Sequence, residues 1–179
     1  MKHLIKPLLI FFTVLSFTGC ASHNDISVHK AIESSTFEKK DNVTVIVVAD
    51  ESLEDELTQG QLDELRDDIK DKLEYRGVTE GNDLTIKITV YTFDSGDRVK
   101  AYLGTNDRSH IADFGAMVEY FDENNELLSE IEIDVTVEYA GLLSVAQADE
   151  DTEFIRQLLK YTEKHFVKTQ KQSNNVPAI

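Results

Sequence analysis

From Leu127 to Tyr139 the chain alternates without a break. Leu127, Ser129, Ile131, Ile133, Val135, Val137 and Tyr139 fall on one parity; Leu128, Glu130, Glu132, Asp134, Thr136 and Glu138 fall on the other. Successive side chains of a strand point to opposite faces, so this segment covers a core on one side and meets water on the other. Leu84–Phe93 repeats the pattern, with Leu84, Ile86, Ile88 and Val90 facing one way and Thr85, Lys87, Thr89 and Tyr91 the other. Phe114–Phe121 is a further strand candidate. Asp122–Glu126 (DENNE) then reads as a hairpin turn, because Asn124-Asn125 tolerates left-handed backbone. Val43–Ala49 (VTVIVVA) is a continuous β-branched run, the pattern of a strand buried on both faces.

Two helical segments supply the cover such strands need. Gln61–Arg76 sets Leu62, Leu65, Ile69 and Leu73 at helical spacing, and Gly77 follows where a C-cap is expected. Thr152–Lys168 carries an apolar stripe of Phe154, Ile155, Leu158, Leu159 and Phe166. The order is β-α-β-β-β-α. The expectation is an α+β fold: a single mostly antiparallel sheet of about four strands with two helices on one face. Residues 42–169 form this one domain.

The N-terminus is read as an export signal. Lys2, His3 and Lys6 precede an uncharged apolar run, Pro7–Phe17, and then the small residues before Cys20. The run is too short for a bilayer-spanning helix, which takes roughly 20 apolar residues. Phe17-Thr18-Gly19-Cys20 resembles the bacterial lipobox, in which the cysteine thiol receives diacylglycerol, although Phe17 stands where Leu is usual. Ordinary cleavage after Ala21 is the competing reading, since Gly19-Cys20-Ala21 also satisfies a small-x-small rule. Cys20 is the only cysteine, and acylation removes the liability of a lone thiol in an oxidising compartment. Residues 1–19 are therefore expected to be a lipoprotein signal peptide, 20–41 a lipidated flexible tether, and 170–179 a disordered tail. Ala21 after the cysteine, by resemblance to Gram-negative lipoproteins, implies sorting to the outer membrane, facing the periplasm.

Charge excludes one class of partner. The chain carries −16, and loss of Lys2 and Lys6 with the signal leaves −18. Nucleic-acid binding rests on neutralising phosphates, so it is not expected. Anionic headgroups repel such a surface as well, which leaves the lipid on Cys20 to hold the membrane.

No catalytic or cofactor constellation emerges. The acidic cluster Asp50, Glu51, Glu54, Asp55 and Glu56 lacks the Asp-x-Asp-x-Asp-Gly frame of a calcium loop. Asp122-x-Asn124-x-Glu126 lacks its glycine and its final Glu. The ladder Glu130, Glu132, Asp134 and Glu138 faces solvent, where carboxylates stay ionised and do not separate their pKa values for acid–base work. Ser109-His110 with Asp107 and Asp113 holds the residue types of a triad without its geometry. His29 and His165 are isolated, so no zinc pattern forms. No metal ligands and no cofactor are expected.

Ser95–Met117 is long for a connection between antiparallel neighbours and concentrates the basic residues Arg98, Lys100 and Arg108. Arg98, Lys100, Tyr102, Gly104 and Arg108 are the candidate interaction loop. The other reading is that Val99–Leu103 continues a strand or packs across a sheet end. Arg98–Gly104, the strand and acidic turn that follow, the second strand, Gly141-Leu142-Leu143 and the C-terminal helix resemble a family of bacterial lipoproteins, domain of unknown function 4410. The resemblance covers roughly residues 43–169 in order and spacing. The glycine-rich stretch of the family is here GTNDRSHIADFG, with Gly104 and Gly115 retained. It implies an exported lipoprotein and supplies no reaction. The resulting expectation is a non-enzymatic lipid-anchored envelope protein that docks onto a protein partner near the membrane. The rival is a small-molecule or cation-binding module built on Arg98, Lys100 and Arg108 or on Asp50–Glu56.

Overall fold

Alternating segments pair with one another, and the computed structural model shows how far that pairing extends. It describes residues 21–32, 37–53, 55–94, 111–138 and 150–168. In chain order these form β1 (Ala21–Lys30), β2 (Asn42–Ala49), a 3-10 turn at Glu51–Leu53, α1 (Gln59–Tyr75), β3 (Thr79–Glu80), β4 (Leu84–Asp94), β5 (Ile111–Asp122), β6 (Leu127–Glu138) and α2 (Glu150–His165). The six strands make one sheet in the order β1-β6-β5-β4-β2-β3.

This corrects the expected sheet of about four mostly antiparallel strands: the sheet is mixed. β2 pairs in parallel with both β4 and β3, while β4–β5, β5–β6 and β6–β1 are antiparallel. The reason lies in the connections. A helix between two neighbouring strands returns the chain to the starting end of the sheet, so β2-α1-β4 closes as a parallel unit. The four-residue turn between β5 and β6 can only reverse direction. Its geometry is the expected one: Asp122 Oδ1 accepts from the backbone N–H of Asn124 at 2.9 Å and of Glu126 at 2.7 Å, and Asn125 takes φ 63°.

The second correction concerns the segment read as tether. Ala21–Lys30 is an edge strand paired along β6, from Ala21 opposite Glu138 to Lys30 opposite Glu130. Its polar alternation carries too little apolar signal to announce a strand: Ile26 alone packs against the core, while Val28 is left 50% exposed at the sheet edge. β2 is also not buried on both faces. Val43, Val45 and Val47 are buried, while Ile46 and Val48 are 41% and 37% exposed on the open side.

Both helices pack on one face and share a single apolar cluster with the inward side chains of β2, β4, β5 and β6. α1 begins at Thr58, whose side chain accepts from the N–H of Gln61 while the Gln61 side chain accepts from the N–H of Thr58. It ends before Gly77 at φ 83°, as a left-handed cap requires. α2 seals the sheet with Phe154, Ile155, Leu158 and Leu159. Deep in this layer Tyr120 stacks on Phe166 at 4.1 Å, and its hydroxyl lies 2.9 Å from Thr162 Oγ1. Burial drives the Tyr120 phenol well above its ordinary pKa, so it stays neutral.

Candidate functional site

Strand pairing gathers several chain ends at one end of the sheet. Ala21 and Ile111 both stand opposite Glu138, and Asp94 stands opposite Asp113. α2 starts there too, since Asn24 Nδ2 donates to Glu153 Oε1 at 2.6 Å. The stems of the candidate interaction loop, Asp94 and Ile111, are thus brought together beside the residue that follows Cys20. Arg98, Lys100, Tyr102, Gly104 and Arg108 lie outside the described residues, as do Cys20, Asp107, Ser109-His110, Gly141-Leu142-Leu143 and residues 170–179. The stretch read as loop to Met117 is shorter than expected, because β5 already runs from Ile111.

A cleft of about 190 Å³ opens at this end, between the first turns of α1 and the ends of β4 and β5. Its walls include Leu62, Leu65, Phe93 and Phe114, with Glu64 and Asp68 at the side. An apolar floor with carboxylates at its margin suits an apolar or cationic group.

The sheet face away from the helices carries a polar network centred on β6. Two bulges build it. In β4 the register shifts between Val90 and Thr92, and in β1 between Val28 and Lys30. The displaced residues are Tyr91 and His29, and a bulge re-aims the side chain it displaces. Both reach the same carboxylate on β6. The Tyr91 hydroxyl lies 2.8 Å from Glu132 Oε1 and 2.7 Å from Asp134 Oδ1, and His29 Nε2 lies 3.1 Å from Glu132 Oε2.

To reach β6, Tyr91 must cross β5, and Gly115 makes that crossing possible. A Cβ there would meet Tyr91 Cε2 at 2.7 Å and Asp134 Oδ1 at 2.8 Å. The phenol has one hydrogen for two carboxylates and serves one at a time. Burial, then hydrogen bonding to Asp134 and Glu132, holds Tyr91 far above its ordinary pKa. The Tyr91 and His29 contacts hold Glu132 below its own. The arrangement locks the edge strand β1 to the sheet.

The sequence candidates divide accordingly. Of the acidic ladder, Glu132 and Asp134 are engaged by Tyr91, which the alternation did not signal. Glu51, Asp55 and Glu56 line no described cleft, and Asp50 Oδ1 is occupied by the N–H of Ser52 at 3.0 Å and its hydroxyl at 2.7 Å. These bonds lower the Asp50 pKa. Asp113 accepts from Thr136 Oγ1 at 2.7 Å. His165 packs on the Tyr161 ring at 4.5 Å; burial, with the charges of Lys164 and Lys39, lowers its pKa. Among the described residues no group of three or more His, Cys, Asp or Glu is placed to hold a metal ion. No described helix is long and apolar enough to cross a membrane.

No protein-family model matches the chain, and no curated protein does. Among solved structures it is similar to two crystal forms of the PelC dodecamer from Paraburkholderia phytofirmans, each aligned over 83% of this chain and 100% of that one. Identity is 9% with a TM-score of 0.49 for one form, and 11% with 0.46 for the other, a point variant. A likeness at these values assigns neither family nor role.

Proposed function

We propose that the chain is a non-enzymatic, lipid-anchored envelope protein of the outer membrane, facing the periplasm, whose domain docks onto a protein partner close to the bilayer. The observation that carries this reading is the start of β1 at Ala21, directly after Cys20. One residue spans about 3.8 Å, so acyl chains on Cys20 would hold that end of the sheet against the membrane. Two or more chains anchor stably where one does not. The flexible reach expected of residues 20–41 is replaced by a strand hydrogen-bonded along β6. The opposite end, with Lys30, Tyr75 and His165, then faces away from the lipid, and the net charge of −16 disfavours lying flat on anionic headgroups.

Two measurements test it. Palmitate label is expected on the wild-type chain and not on Cys20→Ala. A photo-crosslinker at Tyr75, 72% exposed, is expected to give one reproducible adduct in intact cells that needs Cys20. Recovery of monomer alone from Tyr75 and from Ile46 sinks the docking reading. The cleft beside Phe93 and Phe114 favours a second reading, a small-molecule module. Under it, thermal shift against envelope-relevant ligands gives a large stabilisation while no adduct forms.

A further inference from the structure

Acidic residues outnumber basic ones 34 to 18 in this chain, yet one surface runs against that composition. Arg76, at the end of α1, and Arg156, Lys160 and Lys164, along α2, line a shallow trough of about 440 Å³ whose lining holds one carboxylate, Glu163. That carboxylate is already engaged: it bridges to the Arg76 guanidinium, and the Glu163 backbone carbonyl accepts from Lys39 Nζ at 2.6 Å. Arg156 is paired with Glu153 on its own helix, Nε to Oε2 at 2.7 Å. Among the described residues Lys160 and Lys164 have no ion pair, and both are exposed.

Arg156, Lys160 and Lys164 recur every fourth residue, so they stand in one row on the helix and repel one another. Lys160 has an acid three residues on, at Glu163, which turns across to α1 instead. The crowding of positive charge is felt locally, since Lys164 and Lys39 both depress the pKa of His165. Tyr75, the residue before Arg76, is left 72% exposed at the same helix end. Tyr and Arg are the residue types that anchor protein interfaces.

We infer that this trough between α1 and α2 binds a carboxylate-rich segment of a protein partner. The inference rests on the docking reading above and names the chemistry of its partner. Direction favours a protein segment over a lipid headgroup. α2 begins beside Asn24, at the end of the sheet that follows Cys20, and ends beside Lys40, whose N–H donates to Phe166 O at 2.8 Å. The row from Arg156 to Lys164 therefore runs about 12 Å away from the anchored end. A headgroup plane at that end meets the row at one point, whereas an extended acidic segment follows it.

The test uses the full chain in neutral detergent and a fluorescein-labelled hexaglutamate peptide, read by anisotropy at low salt. Binding is expected, and Lys160→Glu/Lys164→Glu should weaken it at least tenfold. Lys160→Gln/Lys164→Gln, a milder change at the same exposed positions, should weaken it several-fold. Lys70→Glu/Lys87→Glu makes the same change in net charge on other surfaces and should leave affinity within twofold. No peptide binding, or equal loss in both Glu doubles, overturns the inference. So does a stronger response of the Arg156–Lys164 backbone amides to phosphatidylglycerol-doped micelles than to the peptide. A Tyr75 adduct that survives unchanged in Lys160→Glu/Lys164→Glu sinks the trough alone, whereas absence of an adduct from both Tyr75 and Ile46 in the otherwise wild-type chain sinks docking itself.

Discussion

The two sides of β6 hold the fold by different means. On the side under α2, Ser129, Ile131, Ile133, Val135 and Val137 are buried to within 1%. On the other side Glu132 and Asp134 hold a tyrosine that crosses from β4 and a histidine that arrives from β1. The buried side depends on apolar area removed from water, a force without direction that is spread over many contacts. The open side depends on a few directed hydrogen bonds, and so on where two bulges fall. Losses on the buried side should therefore scale with volume removed. Losses on the open side should appear when a single atom is added.

The largest expected effect tests the buried side. Phe154 is fully buried and its ring centre lies 4.5 Å from that of Phe114. Phe154→Ala should cost ~3–5 kcal/mol in urea unfolding, because a rigid sheet cannot close over the cavity. A loss below ~1 kcal/mol, where exposed positions fall, would mean that α2 does not seat on β5 and β6 as described.

A smaller effect tests the open side. Gly115→Ala adds one methyl, which must displace the Tyr91 ring or the Asp134 carboxylate. The ring can swing away, so the cost is that of the hydrogen bonds it leaves, about 1–2 kcal/mol. Tyr91→Ala removes the obstacle, and Gly115→Ala should then cost much less in its presence. A double-mutant cycle measures the difference, with coupling above ~0.5 kcal/mol expected for groups in contact. Strict additivity would show that Tyr91 does not lie over Gly115.

The same contrast explains what could be read from the sequence. The inward faces of β4 and β6 were legible because alternation is a direct consequence of strand geometry, and α1 because Leu62, Leu65, Ile69 and Leu73 repeat at the helical period. β1 was not, since it is an edge strand that sends only Ile26 and the polar Asn24 toward the helix side and leaves Val28 exposed. Two residues, Thr79 and Glu80, are too few for any periodic signal to reveal β3. The parallel pairing of β2 followed from the β-α-β order, and strand pattern alone does not reveal direction. At the site, Glu132 and Asp134 looked like a solvated ladder because nothing local marks a bulge at Tyr91 or His29. Gly115, inside a strand candidate, was the one available hint that another group approaches closely.

The smallest expected effect separates the two sides by pH. Glu132 has its pKa lowered on folding, first by the Tyr91 hydrogen bond and then by His29. A carboxylate held below its ordinary value binds fewer protons folded than unfolded, so stability rises with pH through that range. The Glu132 contribution is thus complete above its unfolded pKa, ~4.3, and is lost as pH falls through the lower folded value. Glu132→Gln keeps an oxygen that can accept from Tyr91 but removes the charge facing His29. Because the pair is open to solvent, the variant should lose under ~1 kcal/mol at pH 7. The gap between wild type and variant should close as pH drops below ~4, whereas the gap for Phe154→Ala should keep its size there. A Glu132→Gln gap that persisted unchanged at low pH would show that its charge contributes nothing to holding β1.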